Sequence, residues 1–246
     1  MKVLFAGPSL SGQHPDLTGI ELRPPARQGD LHRAVHDGAN AIGLVDGVFG
    51  FVPSVWHKEI LFALSQGIRV LGGASLGALR AAECHSFGME PVGQIARAYV
   101  DGVRYEDADV CIAHCPAELD FMPLSEPLVD VEATVAALLD LGHLTDAEAW
   151  RWLEAARDIY FADRTIEAML ERSGLPHGLA DAYRHHRVGV KARDALELVD
   201  RLRSLPEHRG PSPPGWAFNA SDPWRTYIAT VTSAAAGSGS PATPSA

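Results

Sequence analysis

Cysteine is scarce. The 246 residues hold three, Cys84, Cys111 and Cys115, too few and too unevenly placed for a disulfide framework. Cys111, His114 and Cys115 lie close together but lack a second ligand pair of standard spacing, so no metal site is expected. The chain has neither a P-loop nor a G-x-G-x-x-G fingerprint, and no cofactor is expected. No stretch approaches the roughly 18 apolar residues of a membrane helix. The apolar run after Met1 is too short for a signal peptide. The expected location is the cytoplasm, with no membrane contact. Positive charge is in deficit as well: 21 Lys and Arg against 31 Asp and Glu give a net charge of −10. That balance argues against nucleic acid or an anionic membrane as a general partner. What remains is ordinary for a globular protein, with 46% hydrophobic and 21% charged residues, and long enough for one sizeable domain or one plus a small second.

The chain is organised around residues 68–83, IRVLGGASLGALRAAE. A β-branched apolar run reads as a buried strand, and a run of Ala, Leu and Arg reads as a helix. The turn between them, Gly73-Ala74-Ser75-Leu76-Gly77, fits G-x-S-x-G. In a nucleophile elbow the glycines give room for a tight turn, the serine stands at the reversal, and the next backbone N–H faces an oxyanion. The alternative is that Ser75 merely N-caps the helix and the glycines allow close packing.

On either side, strands are predicted at 2–6, 20–23, 41–45 and 110–113. Helices are predicted at 31–37, after Ser54 as N-cap, at 92–100, and then at 129–141, from Thr145, at 164–172 and at 191–202. Thr145 and Glu148 have capping-box spacing. Strands alternating with helices imply βαβ units. The fold class is therefore α/β, a Rossmann-like, mainly parallel sheet with helices on both faces, followed by a helical C-terminal part. The expected division is a core domain at 1–125, a helical part at 126–205, and a Pro/Gly/Ser/Ala-rich, largely disordered tail at 206–246. Trp216 and Trp224 interrupt that composition and would dock part of the tail on the body.

Ligands of parallel sheets bind beyond the carboxyl ends of the strands. Three turns carrying Ser9, Asp46 and Ser75 are expected to open there. His57, in the first turn of its helix, is placed where the helix dipole favours neutral imidazole, a general base or donor; a packing role is the alternative. His114, after the strand predicted at 110–113, shares that ambiguity. Asp46 is suited to orient a histidine or bind a polar group, though Asp46-Gly47 is also a common turn pair. Arg80, about one helical turn beyond Ser75, is suited to an anionic group.

Several blocks, in order, resemble the TfuA-like proteins: Gly7-Pro8-Ser9-Leu10, Pro24-Pro25-Ala26 with Gly29-Asp30, Asp46-Gly47-Val48-Phe49, His57-Lys58-Glu59-Ile60-Leu61, and Gly73 through Glu83. Weaker echoes follow at His114, at 124–129 and at 191–195. Leu76 stands where the family usually has Met, a volume-conserving change. The resemblance implies a place beside YcaO-type enzymes in backbone thioamidation of a ribosomal precursor peptide or protein. There a TfuA-like protein would hydrolyse a thiocarboxylated ThiS-like sulfur carrier and release sulfide. On that reading Ser75 is the nucleophile or a donor, His57 or His114 the base, and Asp46 its orienting group. Ser9, Gly47, Lys58, Leu76 and Arg80 would line the substrate side. The competing readings are a non-catalytic adaptor for YcaO and its peptide, and a Rossmann-like small-molecule module.

Overall fold

The computed structural model describes residues 1–48, 50 and 52–237. Phe49 of the third block and the low-complexity end at 238–246 lie outside them. Five strands, β1 Lys2–Phe5, β2 Ile20–Arg23, β3 Ala41–Leu44, β4 Arg69–Gly73 and β5 Glu90–Val92, form one sheet in the order β2-β1-β3-β4-β5. Every neighbouring pair is parallel. Helices α1 Asp30–His36, α2 His57–Ser65, α3 Leu76–Cys84 and α4 Gly93–Val100 belong to this half. The helical part follows: α5 Leu128–Asp140, α6 Asp146–Asp158, α7 Ile166–Ser173, α8 Leu179–His185 and α9 Val190–Arg203. The architecture is the expected α/β, Rossmann-like one with a helical C-terminal part.

Alternation along the buried strands feeds two cores. Val3, Phe5, Ile42, Leu44 and Val70 join the side chains of α1, α2 and α3. Leu4, Ala6, Ala41, Val45 and Leu71 face the other way and are covered by Ala195, Leu198, Val199 and Leu202 of α9. Burial of each such aliphatic side chain contributes on the order of 1.5–3 kcal/mol. A third core, around Trp152 and Tyr183 stacked at 5.5 Å, holds α5 to α8 together. Thr145 caps α6 as its spacing predicts: its hydroxyl accepts from Glu148 N at 3.3 Å, and Glu148 Oε2 accepts from Thr145 N at 2.9 Å.

Two local expectations are corrected. Residues 110–113 do not join the sheet. Ala113 N donates to Ser125 Oγ and Ala113 O accepts from Leu124 N, so this segment pairs with its own return. The fifth strand is instead the short β5, whose Pro91 lies at the sheet edge where a missing donor is tolerated. Ser54 does not cap α2. Its hydroxyl donates to Val48 O, and the helix begins at His57, with Glu59 reaching back to Trp56 N at 3.2 Å.

After Pro206 the chain runs back across the α1/α2 side of the core. Arg209 donates to Val35 O and Ala39 O, Gly210 N to Gly67 O, and Ser212 Oγ to Ser65 O. A tenth helix, α10 Asp222–Gly237, buries Trp224 against His32, Trp56, Phe62 and Phe218. Polar composition sets the default for such a segment, and the aromatic side chains override it by burying enough surface to offset the ordering.

Candidate functional site at the carboxyl edge of the sheet

The turns after β1, β3 and β4 leave three adjacent parallel strands at their carboxyl ends, and each brings a polar side chain. Asp46 follows β3 and is 1% exposed. Its Oδ2 accepts from Gly7 N at 2.9 Å and Ser9 N at 3.0 Å, and its Oδ1 accepts from Ser9 Oγ at 2.7 Å. The carboxylate thus fixes the turn after β1 as well as its own. A carboxylate offers about four acceptor sites, so one remains open.

Ser75 follows β4. Ala74 before it has φ 61°, in the left-handed region, a conformation that costs a non-glycine residue on the order of 1 kcal/mol. The surroundings impose it. Gly77 lies against β3, so that a Cβ there would meet Leu44 O at 1.8 Å, and Gly77 N donates to Val45 O at 3.1 Å. With α3 pressed onto β3, the chain reverses within one residue. Ser75 Oγ makes no capping hydrogen bond to α3. Leu76 N, the first amide of that helix, has no intrahelical acceptor, while the Leu76 side chain is buried in the core, and a Cβ on Gly47 would meet its Cδ2 at 1.9 Å.

The histidines lie elsewhere. His57 Nε2 is 2.8 Å from Glu83 Oε2, which also accepts from Arg80 Nη1 at 2.7 Å; Arg80 Nε donates to Val55 O at 3.0 Å. Burial alone would raise the Glu83 carboxyl, but His57 and Arg80 hold it below its usual range. His57 and Arg80 line an open cleft of about 470 Å³ with Trp56, Pro223 and Tyr227, and neither Ser75 nor Asp46 is among its walls. Lys58 Nζ donates to Asn219 O and lies 5.3 Å from the Phe218 ring centroid, tying the returning segment down. His114 is exposed. Its Nδ1 donates to Cys115 O at 2.7 Å, and its ring is 5.8 Å from that of Phe121. Phe121 in turn approaches Gly7, which puts His114 at the margin of the edge. No histidine hydrogen-bonds Asp46 or Ser75 among the described residues. The Asp46 oxygens are turned to Gly7 and Ser9.

Sequence reasoning missed the polar groups that the helical part brings to the Ser9 end of this edge, around a small cavity whose walls include neither Ser75 nor Asp46. Lys191, in the first turn of α9, is 4% exposed and donates from Nζ to Val110 O at 2.7 Å. Burial pushes its ammonium below the usual lysine range, against the attraction of Asp46 and then Asp130. Asp130 accepts from Val190 N and Lys191 N at 2.8 and 3.1 Å. Burial raises its carboxyl, opposed by the Lys191 amide and by Arg187. Arg187 bridges Glu126 at 2.9 Å and Asp130 at 3.5 Å. The available signal was weak: 191–195 was an echo of the family pattern, but nothing local ties Lys191 to Ser9, some 180 residues earlier.

The three cysteines are buried. Burial pushes Cys84 up to about 12 and Cys111 up to about 11, away from the thiolate that nucleophilic or metal chemistry needs. Among the described residues no three His, Cys, Asp or Glu side chains converge as a metal group, and no helix is long and apolar enough to cross a membrane.

The fold and this edge define a Rossmann-like α/β protein with a polar site at the carboxyl ends of its central strands. Residues 46–165 match the family model described as TfuA-like protein, and that stretch holds Asp46, Ser75 and Asp130. That match supports a role in the YcaO-associated system. No curated protein matches the chain.

Proposed function

We propose that the chain hydrolyses the thiocarboxylate at the tail of a small ThiS-like sulfur carrier, releasing sulfide for a YcaO-type enzyme that thioamidates a precursor peptide or protein. Water adds to the acyl carbon, the carbon–sulfur bond breaks, hydrosulfide leaves, and the carrier keeps a carboxylate while one proton is released. The observation that carries this reading is the turn at Ser75. A serine hydroxyl that caps nothing and a helix-first amide stand at the carboxyl edge, in the turn beside a buried carboxylate. Two such donors suit the oxyanion that forms at an acyl carbon. Among the described residues no histidine hydrogen-bonds Ser75, which favours a donor role for the serine and water as nucleophile. Asp46 then takes the water proton on its open acceptor site. His57, His114, Lys58 and Arg80, with their own partners, stand outside the chemical step.

The test is incubation of a thiocarboxylated carrier with wild type and Ser75→Ala, read by sulfide release and by thermal melting. Loss of one oxyanion donor lowers the rate by roughly 10²–10³. Since Ser75 caps nothing, stability should fall by less than the ~1 kcal/mol of a lost N-cap. Near-normal sulfide release by the folded variant would sink the assignment. One observation favours a docking role in addition: Val103, Tyr105, Leu119, Met122 and Leu124 are exposed on the segment between α4 and α5, a run rich in solvent-facing apolar side chains of the kind that marks protein contacts. A wild type that binds YcaO and releases no sulfide would make docking the whole function.

A further inference from the structure

Ser9 and Lys191 meet where the turn after β1 faces the first turn of α9. They share a small cavity of about 60 Å³ with Ile112, Pro123, Asp130 and Arg187, room for a few waters or one carboxylate-sized group. Lys191 is withdrawn from solvent, yet its ammonium has three donors and, among the described residues, one hydrogen bond, to Val110 O at 2.7 Å. Among the described residues no carboxylate forms a direct ion pair with it. Asp46 exerts the largest attraction on it but turns its oxygens to Gly7 and Ser9. Asp130 takes the Lys191 backbone amide, not the ammonium. Arg187, the other cation of the cavity, is already paired with Glu126 and Asp130. A buried charge without a direct ion pair is costly unless its hydrogen bonds are completed. A lysine that served only to tie α9 to Val110 would need one of its three donors.

We infer that Lys191, with Ser9 beside it, receives the terminal carboxylate or thiocarboxylate of the substrate. The inference rests on the hydrolase reading and adds to it the group that holds the acid end. Water attacking a thiocarboxylate adds charge to a centre that is already anionic, so one cation in a dry cavity orients the ground state and offsets the charge that builds.

The experiment uses the full-length chain and a carrier in two stable forms, one ending in a free carboxylate and one in a carboxamide, with affinity measured by calorimetry. Wild type should bind the acid form roughly 10- to 100-fold more tightly, the range expected for hydrogen bonds to a charged group. Lys191→Met should bind both forms alike, and Lys191→Arg should keep part of the preference. If Lys191→Met shows no cooperative melt, Lys191→Gln and Ser9→Ala carry the comparison, each with a reduced preference. An undiminished acid preference in the lysine variants overturns the assignment, and so does a wild type that binds the two forms equally or binds neither. Sulfide release is scored separately. A wild type with a Lys191-dependent acid preference and no sulfide release would overturn the hydrolase reading and support the acid pocket.

Discussion

Replacing Asp46 in two ways separates its structural task from its chemical one. In Asp46→Ala, Gly7 N, Ser9 N and Ser9 Oγ lose their acceptor in a place that is 1% exposed. Leaving a buried donor unsatisfied costs about 1–3 kcal/mol. The serine hydroxyl can rotate to another acceptor, so two backbone amides count, giving roughly 2–6 kcal/mol. Asp46→Asn behaves differently. With its amide oxygen toward Gly7 N and Ser9 N, both backbone bonds survive, and its NH₂ donates to Ser9 Oγ, which accepts as readily as it donates. The loss is the charge on those bonds and the attraction to Lys191, on the order of 1–2 kcal/mol. Urea unfolding at pH 7, followed by midpoint with slopes compared, should place Asn between wild type and Ala, about 2–3 kcal/mol above Ala at the middle of these ranges. In the sulfide assay both variants should be slow, because neither takes a proton. Equal destabilisation by Asn and Ala would refute the hydrogen-bond account of this carboxylate. Full sulfide release by folded Asp46→Asn would refute its role as proton acceptor.

Two further outcomes follow from the packing. His32 is buried against Phe62 and Trp224, and burial first, then His36 and Arg33, push its imidazole down to about 4 from 6.5; its contribution to stability is whole above the unfolded value and is lost as pH falls from about 6.5 to 4, by up to about 3 kcal/mol, so His32→Phe should show a flatter stability profile over that window, and an unchanged slope would refute it. Gly77→Ala puts a methyl 1.8 Å from Leu44 O, backbone that cannot yield without moving β3 from α3, and should cost more than about 3 kcal/mol or abolish folding, whereas Gly142→Ala, in open space at φ +75°, should cost about 1 kcal/mol; similar thermal midpoints for the two variants would contradict the packing described.

The sheet was legible because its strands are short apolar runs set between turn residues, and β1, β2 and β3 fall within one residue of their expected limits. β5 was not, because a three-residue strand containing Pro91 has no periodicity to read. The segment at 110–113 carries the composition of a strand but finds its hydrogen bonds in Ser125 and its own return. Ser9, Asp46 and Ser75 could be placed on one edge from the repeated strand–turn–helix order alone. What each hydroxyl and carboxylate bonds could not, since that depends on distances between turns. Lys191 was beyond reach for a stronger reason: it enters from a helix that the chain makes only after the whole of α5 to α8.

That late arrival has a consequence for synthesis. Until α9 is made, one face of the sheet, with Leu4, Val45 and Leu71, has no cover. A nascent chain that has emerged only as far as residue 165, the end of the family match, would present a bare apolar sheet to the cell and lack Lys191. The stretch by which the chain is classified is thus smaller than the stretch that must fold together. A ribosome-bound intermediate of that length should be a client for chaperones, and a gene fragment cut to the matched residues should yield aggregate.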